Sequence, residues 1–387
     1  MKSALETVYL DNSATTRVYK ESAALATDVM CNSYGNPSSL HRKGIEAEKL
    51  VKKAREQIAK TINASPAEIF FTSGGTEADN LAIIGGCGAN RGRHIISSNI
   101  EHPAVMSALQ YMEKKGYSVE YAPVNKKGEV DIDRFSKMLS KNTALVSCML
   151  VNNELGTIEP VKKMGKLLRN ANPSAVFHID AVQGYGKVPI DVSVLDADFV
   201  SLSSHKIHGP KGVGALYIRN KSKITPIQFG GGQQNGIRPG TENVPGIAAF
   251  GLSAELCHKN ISEKVKKMEY LKNRLKTGIL KNIDDVLINT PDEGSAPHIL
   301  NVSFAYVKSE VLLHSLESDG IYVSSGSACS SHKNGPSYVL TAIGVDRKMI
   351  DGSIRFSLSE FTTQEEIDYT IGKLMENVKN IRKLMKR

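Results

Sequence analysis

The 387-residue chain contains no Trp, and aromatic residues make up only 6% of it. Binding nucleic acid by stacking bases on aromatic side chains is poorly served by such a composition. No apolar run approaches the ~18 residues that a membrane-spanning helix needs. The opening stretch MKSALETVYL lacks the apolar core of a signal peptide and the Arg-rich pattern of a transit peptide, so a cytoplasmic protein is expected. The five cysteines, Cys31, Cys87, Cys148, Cys257 and Cys329, have neither the spacing of a metal knuckle nor the density of a disulfide framework. Free thiols are expected instead. A Walker A loop and a GxGxxG turn after a first strand are also missing, which disfavours P-loop and dinucleotide folds.

What is present is an ordinary globular composition, 41% hydrophobic and 23% charged, long enough for two or three domains or for one large α/β domain with an appendage. The formal net charge is +9. It is concentrated in two windows: Lys259–Lys281 carries eight Lys/Arg and two Glu, and Lys373–Arg387 carries six and one, leaving 35 basic and 37 acidic residues elsewhere. Each window reads either as a solvated helix face or as a docking surface for an acidic protein, and direct DNA binding is not expected.

From about 45 to 250 the chain alternates helical and strand patterns. Glu46–Ile62 is amphipathic. Short apolar strands are predicted at Glu68–Thr72, His94–Ser97, Ser118–Ala122, Ala144–Val151, Val176–Asp180, Phe199–Leu202 and Gly214–Ile218. Strands alternating with helices predict an α/β fold with a largely parallel sheet covered on both faces. Beyond 250 the pattern changes. One long or broken helix is predicted over Gly246–Leu280, with strands at Ile299–Ser303 and Ser353–Ser359. A capping box, Thr363-Gln-Glu-Glu366, opens a final helix. The predicted domains are a large one over 16–250 and a smaller α+β one from 1–15 and 251–387, carrying a cysteine loop at about 324–336. The Gly230–Gly240 stretch (GGGQQNGIRPG) is a long irregular loop of the kind that usually has a function.

Three constellations carry chemistry. Lys206 follows the strand DFVSLSS and precedes a Gly- and Pro-rich path. A lysine at a buried strand end is costly to charge, and that suits a Schiff-base lysine, although a solvated lysine fits the same pattern. Asp180 ends the strand AVFHID, followed by Gln183. Ligands of open α/β sheets bind beyond the carboxyl ends of the strands, so Asp180 and Lys206 are expected in one crevice. An Asp and a Lys together are what pyridoxal phosphate requires, whereas Asp180 alone would read as a helix N-cap. In FTSGGTEADN, Gly74 and Gly75 let backbone N–H groups near Thr76 approach an anion. Cys329 sits in the small polar stretch SSGSACSS, unlike Cys148 in the apolar ALVSCMLV. It therefore reads as an accessible thiol, against the alternative of an incidental loop cysteine. His205 and His208 at a three-residue spacing could suggest a metal, but no further ligand completes the set. No metal site is expected.

Ten motifs in order carry a resemblance: YLDNSATT (9–16), GNPSSLH (35–41), FTSGGTEADN (71–80), EHPAV (101–105), VNNELGTIEP (151–160), HIDAVQ (178–183), SSHKIHGPKGVGALY (203–217), GGGQQNGIRPGTENVPG (230–246), SSGSACSS (324–331) and SIRFSLS (353–359). From about residue 7 to 370 the chain resembles the pyridoxal-phosphate-dependent cysteine desulfurases of the NifS/IscS type, in the subgroup with the longer cysteine loop. The resemblance implies a fold-type I transferase that converts L-cysteine to alanine. Sulfur would be held as a persulfide on Cys329 and passed to an acceptor protein, such as an iron–sulfur scaffold or a tRNA-thiolation or cofactor relay. It implies that Lys206 holds the cofactor as a Schiff base, that Asp180 meets the ring nitrogen and Gln183 the ring hydroxyl, and that His102 stacks on the ring and moves protons. It also implies phosphate contacts from Gly75, Thr76, Ser203 and His205, with Thr241 reaching the partner subunit's phosphate in an obligate homodimer. Asn153 and Arg355 would bind the substrate carboxylate. One departure is Glu159, where many relatives have Gln. A selenocysteine lyase or another class V aminotransferase would share most of these residues, and a non-catalytic relative retaining the fold is a further alternative.

Overall fold

A computed structural model describes residues 7–325 and 335–385. Cys329 and most of its loop lie outside the described residues. In chain order the strands are β1 (Val8–Tyr9), β2 (Ile69–Thr72), β3 (His94–Ser98), β4 (Ser118–Ala122), β5 (Thr143–Met149), β6 (Val176–Asp180), β7 (Phe199–Ser203), β8 (Gly214–Ile218), β9 (Val286–Ile288), β10 (Ile299–Phe304), β11 (Ile321–Tyr322), β12 (Ser324–Ser325) and β13 (Ser353–Ser357).

Seven of them form one sheet in the order β2-β8-β7-β6-β5-β3-β4. Pairing is parallel from β7 through β4, and antiparallel where β8 meets β7 and β2. Strands β5, β6 and β7 are buried along their whole length. That explains why they read as continuous apolar runs rather than as alternations. The helices Arg42–Thr61, Pro103–Lys114 and Val161–Ala171 bury apolar stripes toward the core (Ala47, Val51 and Ile58 in the first).

A second sheet, β12-β13-β10-β9, is antiparallel throughout. Its own core joins Leu271, Leu275 and Ile279 to Leu300, Phe304, Ile354, Phe356, Leu374 and Val378. Val8 and Leu10 from the start of the chain complete that core, with β1 pairing parallel to β11. The N-terminal segment then runs on to Ser357: Asn12 donates its backbone N–H (3.2 Å) and its Nδ2 (2.9 Å) to the Ser357 carbonyl, and the Ser13 N–H meets Ser357 Oγ at 2.8 Å.

The helix predicted over Gly246–Leu280 is two helices, Val244–His258 and Ile261–Asn282, separated by Asn260 in the left-handed region (φ 55°). The first packs Ala254 and Cys257 into the core of the large sheet. Leu271, Leu275 and Ile279 of the second helix join the core of the smaller sheet instead. The capping box is formed: the Thr363 N–H donates to Glu366 Oε2 (2.8 Å), and Thr363 Oγ1 accepts the Glu366 N–H (3.2 Å).

Candidate active site

Asp180 ends β6 and pairs in register with Ser201 of β7, five residues before Lys206 in its tight turn, Ser204–Lys206. The two side chains thus leave neighbouring strand ends on the same edge. Oδ1 of Asp180 accepts the Val182 N–H at 2.9 Å, and the chain continues as a turn rather than a helix, so the N-cap alternative fails. Lys206 Nζ donates to the carbonyls of Ser13 and, at 2.9 Å, Ala14. Gln183 Nε2 donates to the same Ser13 carbonyl at 2.9 Å. The YLDNSATT segment is therefore what draws Lys206 and Gln183 together.

His102 caps the helix Pro103–Lys114, its Nδ1 accepting the Ala104 N–H at 3.2 Å. Burial first and the Lys206 charge second lower its pKa to about 4, so the ring is neutral at physiological pH. Gly75 starts the helix that bears Thr76. A Cβ at Gly75 would lie 2.7 Å from Val182 Cγ2, so only glycine lets this turn close on the Asp180–Gln183 segment. Ser203 Cβ is the next neighbour at 3.7 Å, and the buried Ser203 Oγ has no hydrogen-bond partner. An orphaned buried hydroxyl costs about 1–3 kcal/mol. A phosphate oxygen beside the Gly75 turn would satisfy it, so these residues fit the phosphate of the implied cofactor. His205 Nδ1 lies 3.2 Å from Thr15 Oγ1, and burial followed by the Lys206 charge lowers its pKa to about 4. His208 is turned to a different task, with Nδ1 at 2.8 Å from the Arg17 carbonyl and its ring against Tyr19 and Phe361.

Arg355 comes from the other sheet. It is buried on β13, donating Nη1 to the Asn153 carbonyl and Nη2 to Asp11 Oδ1, each at 2.9 Å. Its Nε and the Asn153 amide oxygen are buried without partners. Spare polar capacity on both residues suits a carboxylate ligand. Ser324 of β12 pairs directly with Arg355, so the strand that leads into the Cys329 loop starts beside that guanidinium. Thr241 is exposed, and no hydrogen bond joins it to the residues above.

Several participants escaped the sequence reading. Asp11 on Arg355 is one. Glu77 is another: it accepts the Ser73 N–H (2.7 Å) and Arg238 Nε (2.8 Å), fixing the Gly230–Gly240 loop to the phosphate turn. Beneath Asp180, His178 is fully buried between Ser147 Oγ and Ser201 Oγ (2.9 Å each), with Asp79 Oδ1 3.5 Å from its Nε2. A charged residue inside an apolar run, as in VFHID and EADNLAII, was the available signal. Glu159 is buried and accepts the Val130 N–H at 2.9 Å. Its oxygen replaces what a Gln carbonyl would accept, and burial raises its pKa well above the usual range.

Burial raises Asp79, Asp180 and Glu154 to about 7 and Glu101 to about 8, while it lowers His102, His178, His205 and His208 to about 4. The raised carboxyls bind more protons folded than unfolded, so their contribution to stability is complete below the unfolded value near 4 and is lost as pH rises through 7–8. The depressed histidines do the opposite, but only between about 4 and 6.5. The two effects oppose below pH 6.5; above it the carboxyls dominate, with Lys272, lowered by burial to about 8, opposing them only toward the upper end of the window. The melting temperature of the cofactor-free protein should therefore fall between pH 6.5 and 8 in a calorimetric series. A rise across that window would contradict the assignment.

The aminotransferase class-V family pattern matches residues 8–370. A cysteine desulfurase IscS of Dictyoglomus turgidum is 44% identical over 377 residues, covering 97% of this chain and 95% of that protein. One from Methanosarcina thermophila is 44% identical over 379 residues, covering 97% and 93%. Among solved structures, a NifS-like protein superposes with a TM-score of 0.90 at 41% identity, covering 96% of this chain and 98% of the other. A structure described as SspA in complex with cysteine gives 0.80 at 32%, covering 92% and 100%. The chain belongs to the class-V aminotransferase family as one of its cysteine desulfurases.

Proposed function

We propose that this enzyme converts L-cysteine to L-alanine, leaving the sulfur as a persulfide on Cys329 for transfer to an acceptor protein. The observation that carries the reading is the convergence of Lys206 and Asp180 with Arg355, whose strand pairs with the strand leading to Cys329. The cofactor is pyridoxal 5′-phosphate, which when bound supplies an electron sink for the α-carbon of the amino acid it holds. Gly75, Thr76, Ser203 and His205 would hold its phosphate, Asp180 and Gln183 would meet the polar atoms of its ring, and neutral His102 would pack against it. Arg355 and Asn153 orient the substrate carboxylate. Lys206 takes the proton from the substrate α-carbon and returns one. The Cys329 thiolate attacks the substrate sulfur, an S–S bond forms as the carbon–sulfur bond breaks, and the electron pair left on carbon is protonated to the methyl group of alanine.

A second copy of the chain completes the site in this reading. Leu40 and Phe229 are 96% and 90% exposed, with Tyr34 and Met30 also open, and Phe229 adjoins the loop that ends near Thr241. Exposed apolar groups of this size are what a homodimer interface covers. No helix of the described residues is long and apolar enough to cross a membrane.

The basic windows are partly paired within the fold, while Lys259, Lys266, Lys281, Lys379 and Lys383 stay exposed. Lys264 pairs with Glu360, Arg274 with Asp368, Lys276 with Asp292, and Lys373 with Asp319 and Glu376. Lys272 is buried on Ser295 and Ala296, and Arg382 donates to the carbonyls of Ala305, Asp284 and Asp285. Much of the excess is therefore spent on holding the smaller sheet's helices in place, and charge alone does not identify the sulfur acceptor.

Incubation of the holoenzyme with L-cysteine and a reducing thiol should yield alanine and sulfide in equal amounts. Glutamate formed from 2-oxoglutarate, without sulfide, would instead assign the protein to the aminotransferases of the same family.

A further inference from the structure

We infer that Lys187 is a positioning residue for the reaction: its buried ammonium clamps the backbone carbonyl of Lys206 and so fixes where the Lys206 amine stands. The inference rests on the reading of Lys206 given above.

Lys187 Nζ donates to the Lys206 carbonyl and lies 3.5 Å from the Tyr185 carbonyl. The side chain is 8% exposed, and no ion pair joins it to a carboxylate among the described residues. Burying an ammonium with only carbonyls for partners costs several kcal/mol. Its pKa is lowered by that burial, with Cys257 and Glu360 opposing the shift. The neighbouring carbonyls of the same turn are held by neutral donors. His205 O takes the Thr16 N–H and Oγ1, Ser204 O takes the N–H groups of Ile207 and Gly209, and His208 O takes the Tyr19 N–H. Only the lysine that carries the chemistry has an ammonium on its own carbonyl among these four. A charge-assisted bond is about twice as strong as a neutral one.

The route by which Lys187 arrives supports a purpose. It lies in the short segment QGYGK, four residues after Gln183, so one turn carries the chain from the Asp180 side of the crevice to the back of Lys206. Gly186 makes that possible with φ +71°, and a Cβ there would stand 2.5 Å from Cys257 Sγ. Ser13 and Ala14 grip the amine of Lys206 from the front, and Lys187 grips its carbonyl from behind. A proton carrier that must reach the α-carbon in one geometry benefits from both, since misplacement by about 1 Å can cost around a hundredfold in rate.

Removing Lys187 relieves a buried ammonium but takes the donor from the Lys206 carbonyl, so the two effects on stability offset, and this separates positioning from mere support. The test is Lys187→Met in the holoenzyme. The expected result is a kcat lower by about tenfold or more with KM for cysteine changed less than about twofold. Exchange of the α-proton of L-alanine with deuterated solvent, which needs Lys206 but not Cys329, should slow in parallel. Amide hydrogen exchange in the peptide spanning Ser203–Gly209 should quicken, and the melting temperature should hold. Lys187→Gln keeps a neutral donor and should fall between Met and wild type; Lys187→Arg should recover part of the α-proton exchange. Wild-type kcat in both Met and Gln variants would overturn the inference. So would a loss of activity with unchanged amide exchange in that peptide, or a Met variant that does not fold while the Gln variant behaves as wild type. Borohydride reduction of the wild-type holoenzyme followed by peptide mapping separates the two levels. A cofactor adduct at a residue other than Lys206 would bring down the reading of Lys206 itself.

Discussion

Lys206→Arg and Lys206→Ala should each lower cysteine turnover by about three orders of magnitude or more, because both remove the only residue proposed to move the α-proton. The pair is informative because the two substitutions differ in what they leave behind. Ala removes the donors that satisfy the Ser13 and Ala14 carbonyls. Arg retains donors for them but stays protonated at any workable pH. If Lys206 mattered chiefly as a tie between the N-terminal segment and the β7 turn, Arg would preserve much of the activity and Ala would not. If it is the proton carrier, both fail alike, and borohydride leaves the cofactor unattached in both. Steady-state sulfide release and peptide mapping after reduction check this, and Lys206→Arg turning over cysteine at the wild-type rate would end the proposal.

Cys329→Ser should keep the cofactor's visible absorbance and the α-proton exchange of L-alanine, yet lose sulfide release by about two to three orders of magnitude. A hydroxyl at this position is nearly the same size but is a far poorer nucleophile at neutral pH. The result depends on Cys329 reaching the substrate, and Cys329 follows β12 by four residues in the sequence. Ser324 of that strand stands opposite Arg355, the proposed carboxylate anchor. Trapping the wild-type enzyme with a thiol-alkylating reagent after brief exposure to cysteine should place the extra sulfur on Cys329. Extra sulfur on Cys31, the exposed cysteine among the described residues, with Cys329→Ser fully active, would move the chemistry elsewhere. Burial raises the pKa of Cys87, Cys148 and Cys257, which removes them as thiolates.

Much of the architecture was legible because it depends on local pattern. Strands β5, β6 and β7 are buried on both faces and so spell themselves as apolar runs, and the Thr363–Glu366 cap is written within four residues. Lys206 and Asp180 were legible as a pair because strand ends in such sheets collect ligands. What escaped was non-local. Asp11 meets Arg355 across 344 residues, and Arg238 meets Glu77 across 161. Neither pairing leaves a trace in periodicity or spacing. Lys187 escaped for a different reason: a lysine directly before a strand-like VPID reads as solvent-facing, and only its carbonyl partners reveal otherwise. The basic windows were legible in part: Lys266, Lys281 and Lys379 lie exposed on helix faces, but a count of charges does not show that Asp292, Asp319, Glu360 and Asp368 stand beside the others.

The N-terminal segment has a consequence for how the enzyme is made. Val8 and Tyr9 pair with Ile321 and Tyr322, and Asn12 bonds across 345 residues to Ser357. Synthesis proceeds at roughly 5–20 residues per second, so the first-made segment waits tens of seconds for its partners to leave the ribosome. Until then the Ser13 and Ala14 carbonyls are tied to the Lys206 turn only through the contacts of Thr15, Thr16 and Tyr19 with His205 and His208. The seven-stranded sheet can assemble on the nascent chain, but Arg355 and the Ser357 anchor of the N-terminal segment join the site only after the last strand is released.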